Sequence, residues 1–461
     1  MNLPLDVALR ATDGTLRNRD AAPSHIRVST DTRTIEAGDT FVALHGERYD
    51  GHHFAGEALR RGASMVVVDR VTPDFDAAAM LLVDDTLRAY MALAAVARAL
   101  FNGRVVGITG SAGKTTTKDF LAHLLEPAYR GRILATPANE NNEIGVSRLL
   151  LSSSNAAHDV LVVEMGARHF GDIATLVELA RPHVGVLTNV GEAHVEIMGS
   201  RERLAETKWA LFQRGAEAVL NAQDAVSRER SVALTQRVWW FAALDSADEL
   251  QSCRRLPNLT ALIGERRLFH AAGAASDELQ ADARVPGRHN RANLAAAAAT
   301  ALALGLSLET VAAQLARVQL PAGRYDSIAL PGGVRVIYDA YNANASATIA
   351  ALDAFAAEAA PRRIAVLAGM AELGDEASAL HERVGEHAAR RVDLLVVEGD
   401  FADALATGAR RAGLAAERII HADDNAGVAA WLRTHAQRDD VVLLKGSRKY
   451  RMEEIVEDLQ A

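Results

Sequence analysis

A lysine placed between a glycine and two threonines opens the chemistry of this chain. The stretch GITGSAGKTTTKDF occupies residues 107–120. Glycines let backbone N–H groups approach phosphate oxygens, and a helix starting just after them adds the positive end of its dipole. Gly110, Ser111, Ala112 and Gly113 would form the cradle, Lys114 would neutralise the outer phosphates, and Thr116 would sit beneath them. The Thr115 hydroxyl suits Mg²⁺, a hard cation that takes oxygen ligands. The spacing departs from the strict G-x-x-x-x-G-K form, which would put glycine where Ile108 stands. A tight glycine turn is the alternative, but the apolar run before it and the helical pattern after it favour nucleotide-phosphate binding.

Other reactive types stand at the ends of similar apolar runs. Glu164 closes DVLVVEM and is a second candidate for Mg²⁺; an ordinary loop carboxylate is the plain alternative. His194 follows HVGVLTNV, and Lys208 comes fourteen residues later in ETKWALF. Alone, the histidine reads as structural and the lysine as a snorkelling surface residue. Asn290 and Asn293 in GRHNRANL are three apart on one helical face. Amides can read the adenine edge, while Asn290 also fits a helix cap. Arg324 in PAGRYDS lies at a predicted hinge, and Asp339 leaves a strand beside the Asn-rich turn YNANASA.

These residues need elements to hold them. Short β-rich runs alternate with Ala/Leu-rich helical stretches, at residues 64–69, 104–109, 159–165, 183–190, 362–369, 392–399 and 440–446. The alternation predicts an α/β protein with largely parallel, buried strands, whose ligands bind beyond the strands' carboxyl ends. Three domains are expected: residues 1–85, a central unit 86–320 with the phosphate loop on a parallel sheet, and a final α/β unit 321–461. Residues 245–287 read as peripheral strands and loops, and the alanine-rich stretch 294–308 as a buried helix too short and weakly apolar to cross a bilayer.

Composition narrows the class further. The 461 residues are 49% hydrophobic and 24% charged, with a net charge of −9, which disfavours a general affinity for nucleic acid. A single cysteine, Cys253, allows no intrachain disulfide and fits a reducing cytoplasm. No signal pattern opens the sequence, so a cytoplasmic protein without membrane insertion is expected.

Together and in this order the motifs resemble the Mur ligases, ATP-dependent amide ligases of peptidoglycan precursor synthesis. The resemblance rests on STDTRTIEAGDTFVALHGERYDGHHF, GITGSAGKTTTKDF, TPANENNEIGVS, EMGARHFGDIATL, GRHNRANLAAA, DAYNANASAT and LLKGSRKYRMEEIVE, which span all three proposed domains. It implies a UDP-sugar-binding domain, an ATPase domain and a Rossmann-like domain. Lys114 would then contact the ATP phosphates, with Thr115 and Glu164 on one Mg²⁺. His194 would help hold a second ion together with Lys208 as its N-carbamate, which requires a neutral lysine when CO₂ attacks. Asn290, Asn293, Arg324 and Asp339 would hold adenine, phosphate and ribose. Asn141 and Asn142 would contact the muramoyl peptide, and Asp31, Thr32, Arg33 and Asp50 the uridine end.

Within the family, the NANA turn and the lack of a DNPR-type signature favour the branch that adds D-alanyl-D-alanine to UDP-N-acetylmuramoyl-tripeptide, as a monomer. Another Mur-type ligase, a folylpolyglutamate-like ligase and a P-loop ATPase switch are the competing readings. Four positions depart from the family pattern. Ala210 stands where a glutamate is usual, and Ala368-Gly369 where an aspartate-containing segment is. Asp31-Thr32-Arg33 replaces Asp-Ser-Arg, and Asn342-Ala343-Asn344-Ala345 replaces NANP. The first two bear on the second metal's surroundings and the third domain's contact, and keep a non-catalytic paralogue in view.

Overall fold

The apolar runs become strands close to their sequence-derived bounds: Met65–Val68, Arg104–Thr109, Val160–Glu164, Val184–Leu187, Arg363–Leu367, Leu394–Glu398 and Val441–Lys445. The structure is a computed structural model describing residues 1–46, 49–75, 78–191, 200–273, 275–371 and 373–461. It divides into two compact units. One unit holds Met1–Gly107, Glu126–Ala167 and Gly171–Gly185; the other holds Ile108–Leu125, Arg168–Phe170 and Val186–Ala461.

In the first unit a five-stranded sheet runs in the order Thr15–Arg17, Met80–Leu82, Met65–Val68, Thr40–Val42, Val28–Ser29. Only Thr15–Arg17 is antiparallel. Phe41, Val66, Val68 and Met80 bury one face against Ala55 and Ala58 of the helix His52–Arg60. Elsewhere in this unit Val160–Glu164 pairs in parallel with Ile133–Ala135.

In the second unit Glu217–Asn221, Val238–Leu244 and Leu259–Ile263 run parallel, followed by antiparallel Arg267–Ala272 and Ala275–Gln280. The helix Arg288–Ala303 packs on Val238–Leu244, with its alanines almost wholly buried. Small side chains let helix and strand backbones approach closely. The expected continuous helix to residue 308 is broken: Gly305 takes φ +97°, and Ser307 caps a new helix, Leu308–Leu315, by accepting from the Thr310 N–H at 3.2 Å. Composition alone hid the break, because the residues on both sides are apolar helix formers.

The C-terminal sheet has six strands in the order Asp326–Ala329, Arg335–Tyr338, Val441–Lys445, Arg363–Leu367, Leu394–Glu398, Ile419–Ala422, parallel after the first pair. Strand order reverses where Val441–Lys445 meets Arg363–Leu367, the kind of place where such sheets bind ligands. Hydrophobic clusters cover both faces. The Asn-rich turn ends with Asn344, whose side chain caps the helix Ala345–Ala356 by accepting from Ala347 N–H at 2.9 Å.

One buried acid opposes the fold. Glu398, at the end of its strand, is 2% exposed, and neither carboxylate oxygen has a hydrogen-bond partner. Burial, and secondarily the charge of Asp424, raises this carboxyl from its ordinary 4.5 to about 7. Folded, it keeps its proton to about pH 7; unfolded, it ionises near 4.5, so it withdraws stability as pH rises between those values. By pH 8 the penalty is about 3 kcal/mol. Glu398→Met should therefore raise the melting temperature at pH 8 more than at pH 5. An equal effect at both values, read by thermal melts, would contradict this.

Candidate active site

The phosphate loop of the second unit is held open by two glycines that tolerate no side chain. Gly110 takes φ +151° and Gly113 φ +82°. A Cβ on Gly110 would lie 1.8 Å from Thr188 Oγ1, and one on Gly113 would lie 2.1 Å from Asn293 Oδ1. Thr188 and Asn189, just beyond Val184–Leu187, brace the loop from outside. Asn189 O accepts from Ser111 N–H at 3.0 Å, and its side chain accepts from Ala112 N–H at 3.2 Å and donates to Ala112 O at 3.1 Å. Thr188 Oγ1 donates to Ala112 O at 2.6 Å. Ser111 Oγ accepts from Gly191 N–H at 2.9 Å. Sequence reading missed Thr188 and Asn189, although their polar types at the end of a buried strand were the available signal.

Lys114 begins the helix Lys114–Tyr129 and donates to Gly110 O at 2.9 Å. Thr115 is half-buried and Thr116 buried in the same first turn. Lys208 is 2% exposed on the helix Arg201–Trp209, which removes the snorkelling alternative. Burial, followed by the charge of Lys114, lowers its amine to about 7, so the neutral form is accessible near neutral pH. Ala210, two residues on, is buried as well. His194 lies outside the described residues.

Asn290 and Asn293 are both buried on Arg288–Ala303. Gly287 is the residue flanking that helix's start, so Asn290 does not cap it; its Nδ2 donates to Pro286 O at 2.9 Å. Asp339 follows the strand Arg335–Tyr338; its Oδ1 accepts from Tyr325 N–H at 3.2 Å. Arg324 stacks its guanidinium 4.4 Å over the Tyr341 ring. The loop, both asparagines, Arg324, Asp339 and Lys208 thus belong to one unit. A cavity of about 830 Å³ beside Arg288, His289, Asp353 and Glu358 includes none of them.

In the first unit, Glu164 is 1% exposed and its N–H donates to Thr136 Oγ1 at 2.9 Å. Oε1 accepts from Asn141 Nδ2 at 2.8 Å, while Oε2 is buried without any hydrogen-bond partner. An orphaned carboxylate oxygen at a strand exit fits a cation ligand. No cluster of three or more His, Cys, Asp or Glu suited to a metal occurs among the described residues. Asn142 caps the helix Glu143–Ser152 by accepting from Gly145 N–H at 3.0 Å. Both asparagines therefore have structural partners that their sequence context did not reveal.

In the same unit, Asp31 accepts from the Arg33 N–H at 2.9 Å and from its guanidinium at 2.7–3.2 Å, bonds that hold its carboxyl at about 2. Thr32 offers its carbonyl to Arg61 at 3.2 Å. Asp50 is drawn upward by burial but held at about 2 by the His52 N–H and ring, at 3.0 and 2.7 Å, and by Arg70.

Three family models match this chain: "Mur ligase family, catalytic domain" at residues 26–98, "Mur ligase middle domain" at 108–301 and "Mur ligase, glutamate ligase domain" at 323–448. A Synechocystis protein named UDP-N-acetylmuramoyl-tripeptide–D-alanyl-D-alanine ligase is 35% identical over 94% of this chain and 92% of its own. MurF from Acinetobacter baumannii has a crystal structure similar at TM-score 0.86 and 29% identity, covering 100% and 99% of the two chains. MurF from Thermotoga maritima in complex with ADP matches at TM-score 0.78 and 30% identity, over 94% and 97%.

Gly113→Ala should push the loop off Asn293. Overpacking of this kind costs roughly 1–3 kcal/mol, so ADP affinity measured by calorimetry should fall about tenfold or more. Unchanged affinity in a folded variant would refute the close-approach argument.

Proposed function

Because the chain belongs to the Mur ligase family, we propose that it is the ATP-dependent ligase that joins D-alanyl-D-alanine to UDP-N-acetylmuramoyl-tripeptide. The observation that carries this reading is likeness along nearly the whole chain, 94% of it, to a ligase of that name. The braced phosphate loop supports the nucleotide part of it.

The reaction runs in two steps. The terminal carboxylate of the tripeptide attacks the γ-phosphorus of ATP, the bond to the β–γ bridging oxygen breaks, and ADP leaves. The amine of D-alanyl-D-alanine then attacks the acyl phosphate carbon, loses a proton, and inorganic phosphate departs with the C–O bond. Both first-step reactants are anions, so the site must lower their repulsion. Lys114 and the loop N–H groups around Gly110 and Gly113 do this for the outer phosphates. Asn290, Asn293, Arg324 and Asp339 between them hold adenine, phosphate and ribose; fixing the nucleotide aligns the reacting atoms. Asp31, Thr32, Arg33 and Asp50 receive the uridine end, and Asn141 and Asn142 lie toward the peptide.

Thr115 and Glu164 are each proposed as Mg²⁺ ligands, and His194 with the carbamate of Lys208 as ligands of a second ion. Bound Mg²⁺ would neutralise phosphate charge. The orphaned Glu164 Oε2 and the lowered Lys208 amine support those assignments. We assign domain limits 1–85, 86–320 and 321–461; the middle and C-terminal family models, 108–301 and 323–448, fall inside the second and third, while the first, 26–98, runs past residue 85. A cytoplasmic monomer completes the reading: no helix among the described residues is long and apolar enough to cross a membrane, and sedimentation at assay concentration tests the monomer.

The direct test is phosphate release from ATP and Mg²⁺ with UDP-N-acetylmuramoyl-tripeptide, D-alanyl-D-alanine being added last. Release should require both substrates and give a product heavier by the dipeptide less one water. Release that ignores both would indicate a switch ATPase. Lys208→Ala should lower turnover on the order of 100-fold, with partial return on adding short carboxylates; full activity without them would remove the carbamate.

A further inference from the structure

We infer that Lys445 is a positioning residue for the nucleotide, clamping the segments that carry Arg324 and Asp339. The inference rests on the ligase reading above and adds a residue to it. Lys445 ends the strand Val441–Lys445 at the point where strand order reverses, opposite Leu367, while its neighbour Leu444 lies opposite Tyr338. Its side chain is 3% exposed, yet it carries an ammonium. That ammonium has three N–H groups and three acceptors: Asp339 O at 2.8 Å, Asn342 O at 2.8 Å and Asp339 Oδ2 at 3.1 Å. A buried cation survives only when paired and hydrogen-bonded, and this one meets both conditions.

All three contacts fall on the 339–342 turn, which in turn holds the segment carrying Arg324. Asp339 uses its other oxygen to accept from Tyr325 N–H at 3.2 Å. Tyr325 holds φ +58°, a left-handed conformation that a non-glycine residue keeps only when its surroundings over-determine it. Arg324, its chain neighbour, rests on Tyr341, which lies inside the 339–342 turn whose two end carbonyls Lys445 holds. One ammonium thus fixes the backbone behind Arg324 and the ring beneath its guanidinium. A guanidinium at 445 would not serve: its planar fork does not match three acceptors gathered around one point.

The test compares Lys445→Met, Arg324→Ala and the double variant with the wild-type enzyme, reading KM for ATP, KM for UDP-N-acetylmuramoyl-tripeptide, ADP affinity and melting temperature. Lys445→Met should raise KM for ATP about tenfold or more through misplacement, leaving KM for the tripeptide within about twofold. Because part of the Lys445 effect runs through Arg324, the double variant should lose clearly less for ATP than the product of the two single losses. Additive losses, or equal losses for both substrates, would overturn the inference. Should Lys445→Met fail to fold, Tyr341→Leu carries the same expectation of an ATP-selective rise, and an unmoved KM for ATP would overturn it. If wild-type protein shows no ligation, the ligase reading fails instead, and ADP titration of the same variants still decides the positioning role.

Discussion

The contact of Gly113 with Asn293 is the constraint on which the nucleotide site depends. A missing Cβ lets a side-chain amide 180 residues later in the chain approach the phosphate loop backbone. Asn293 sits on Arg288–Ala303, a helix whose alanines allow close packing on Val238–Leu244. The loop is therefore referenced to a rigid, low-volume interface rather than to a mobile side chain. Thr188 and Asn189 add a second reference from the other side of the loop, through bonds between 2.6 and 3.2 Å. The loop backbone holds its course because both supports belong to the folded chain itself.

Two buried lysines show how the same residue type serves different ends. Burial draws the Lys445 amine down, but the Asp339 carboxylate opposes that, and its Nζ donates to two carbonyls that organise the 339–342 turn. Lys208 is buried where both influences on its amine act downward, burial first and Lys114 second. Its surroundings favour the uncharged amine, the form that can react with CO₂. Glu398 is a third buried ionisable group, with neither pairing nor an assigned role, and the fold bears its penalty.

Much of this architecture was legible in the sequence because parallel strands buried on both faces read as unbroken apolar runs. The run at 392–399 meets the strand Leu394–Glu398 within two residues at each end, and the phosphate loop was legible from its GKTT core between an apolar run and a helical pattern. What escaped were partnerships between distant residues. Asn189 braces Ala112 across 77 positions, and Lys445 reaches Asp339 across 106. Asn141 and Asn142 look alike in sequence, yet one supports Glu164 and the other caps a helix. Local pattern identifies candidate donors and acceptors, but only the fold chooses which pairs meet. The break in the alanine-rich stretch 294–308 escaped for a different reason, since a glycine turn between two apolar helices leaves the hydrophobic pattern nearly intact.

The proposed reaction turns on a nucleotide whose γ-phosphate activates a carboxylate. The most direct measurement follows oxygen: UDP-N-acetylmuramoyl-tripeptide labelled with ¹⁸O in its terminal carboxylate is turned over with ATP and D-alanyl-D-alanine, and the released phosphate is analysed by mass. The acyl phosphate route predicts one labelled oxygen in each phosphate. Unlabelled phosphate accompanying ligated product would contradict it.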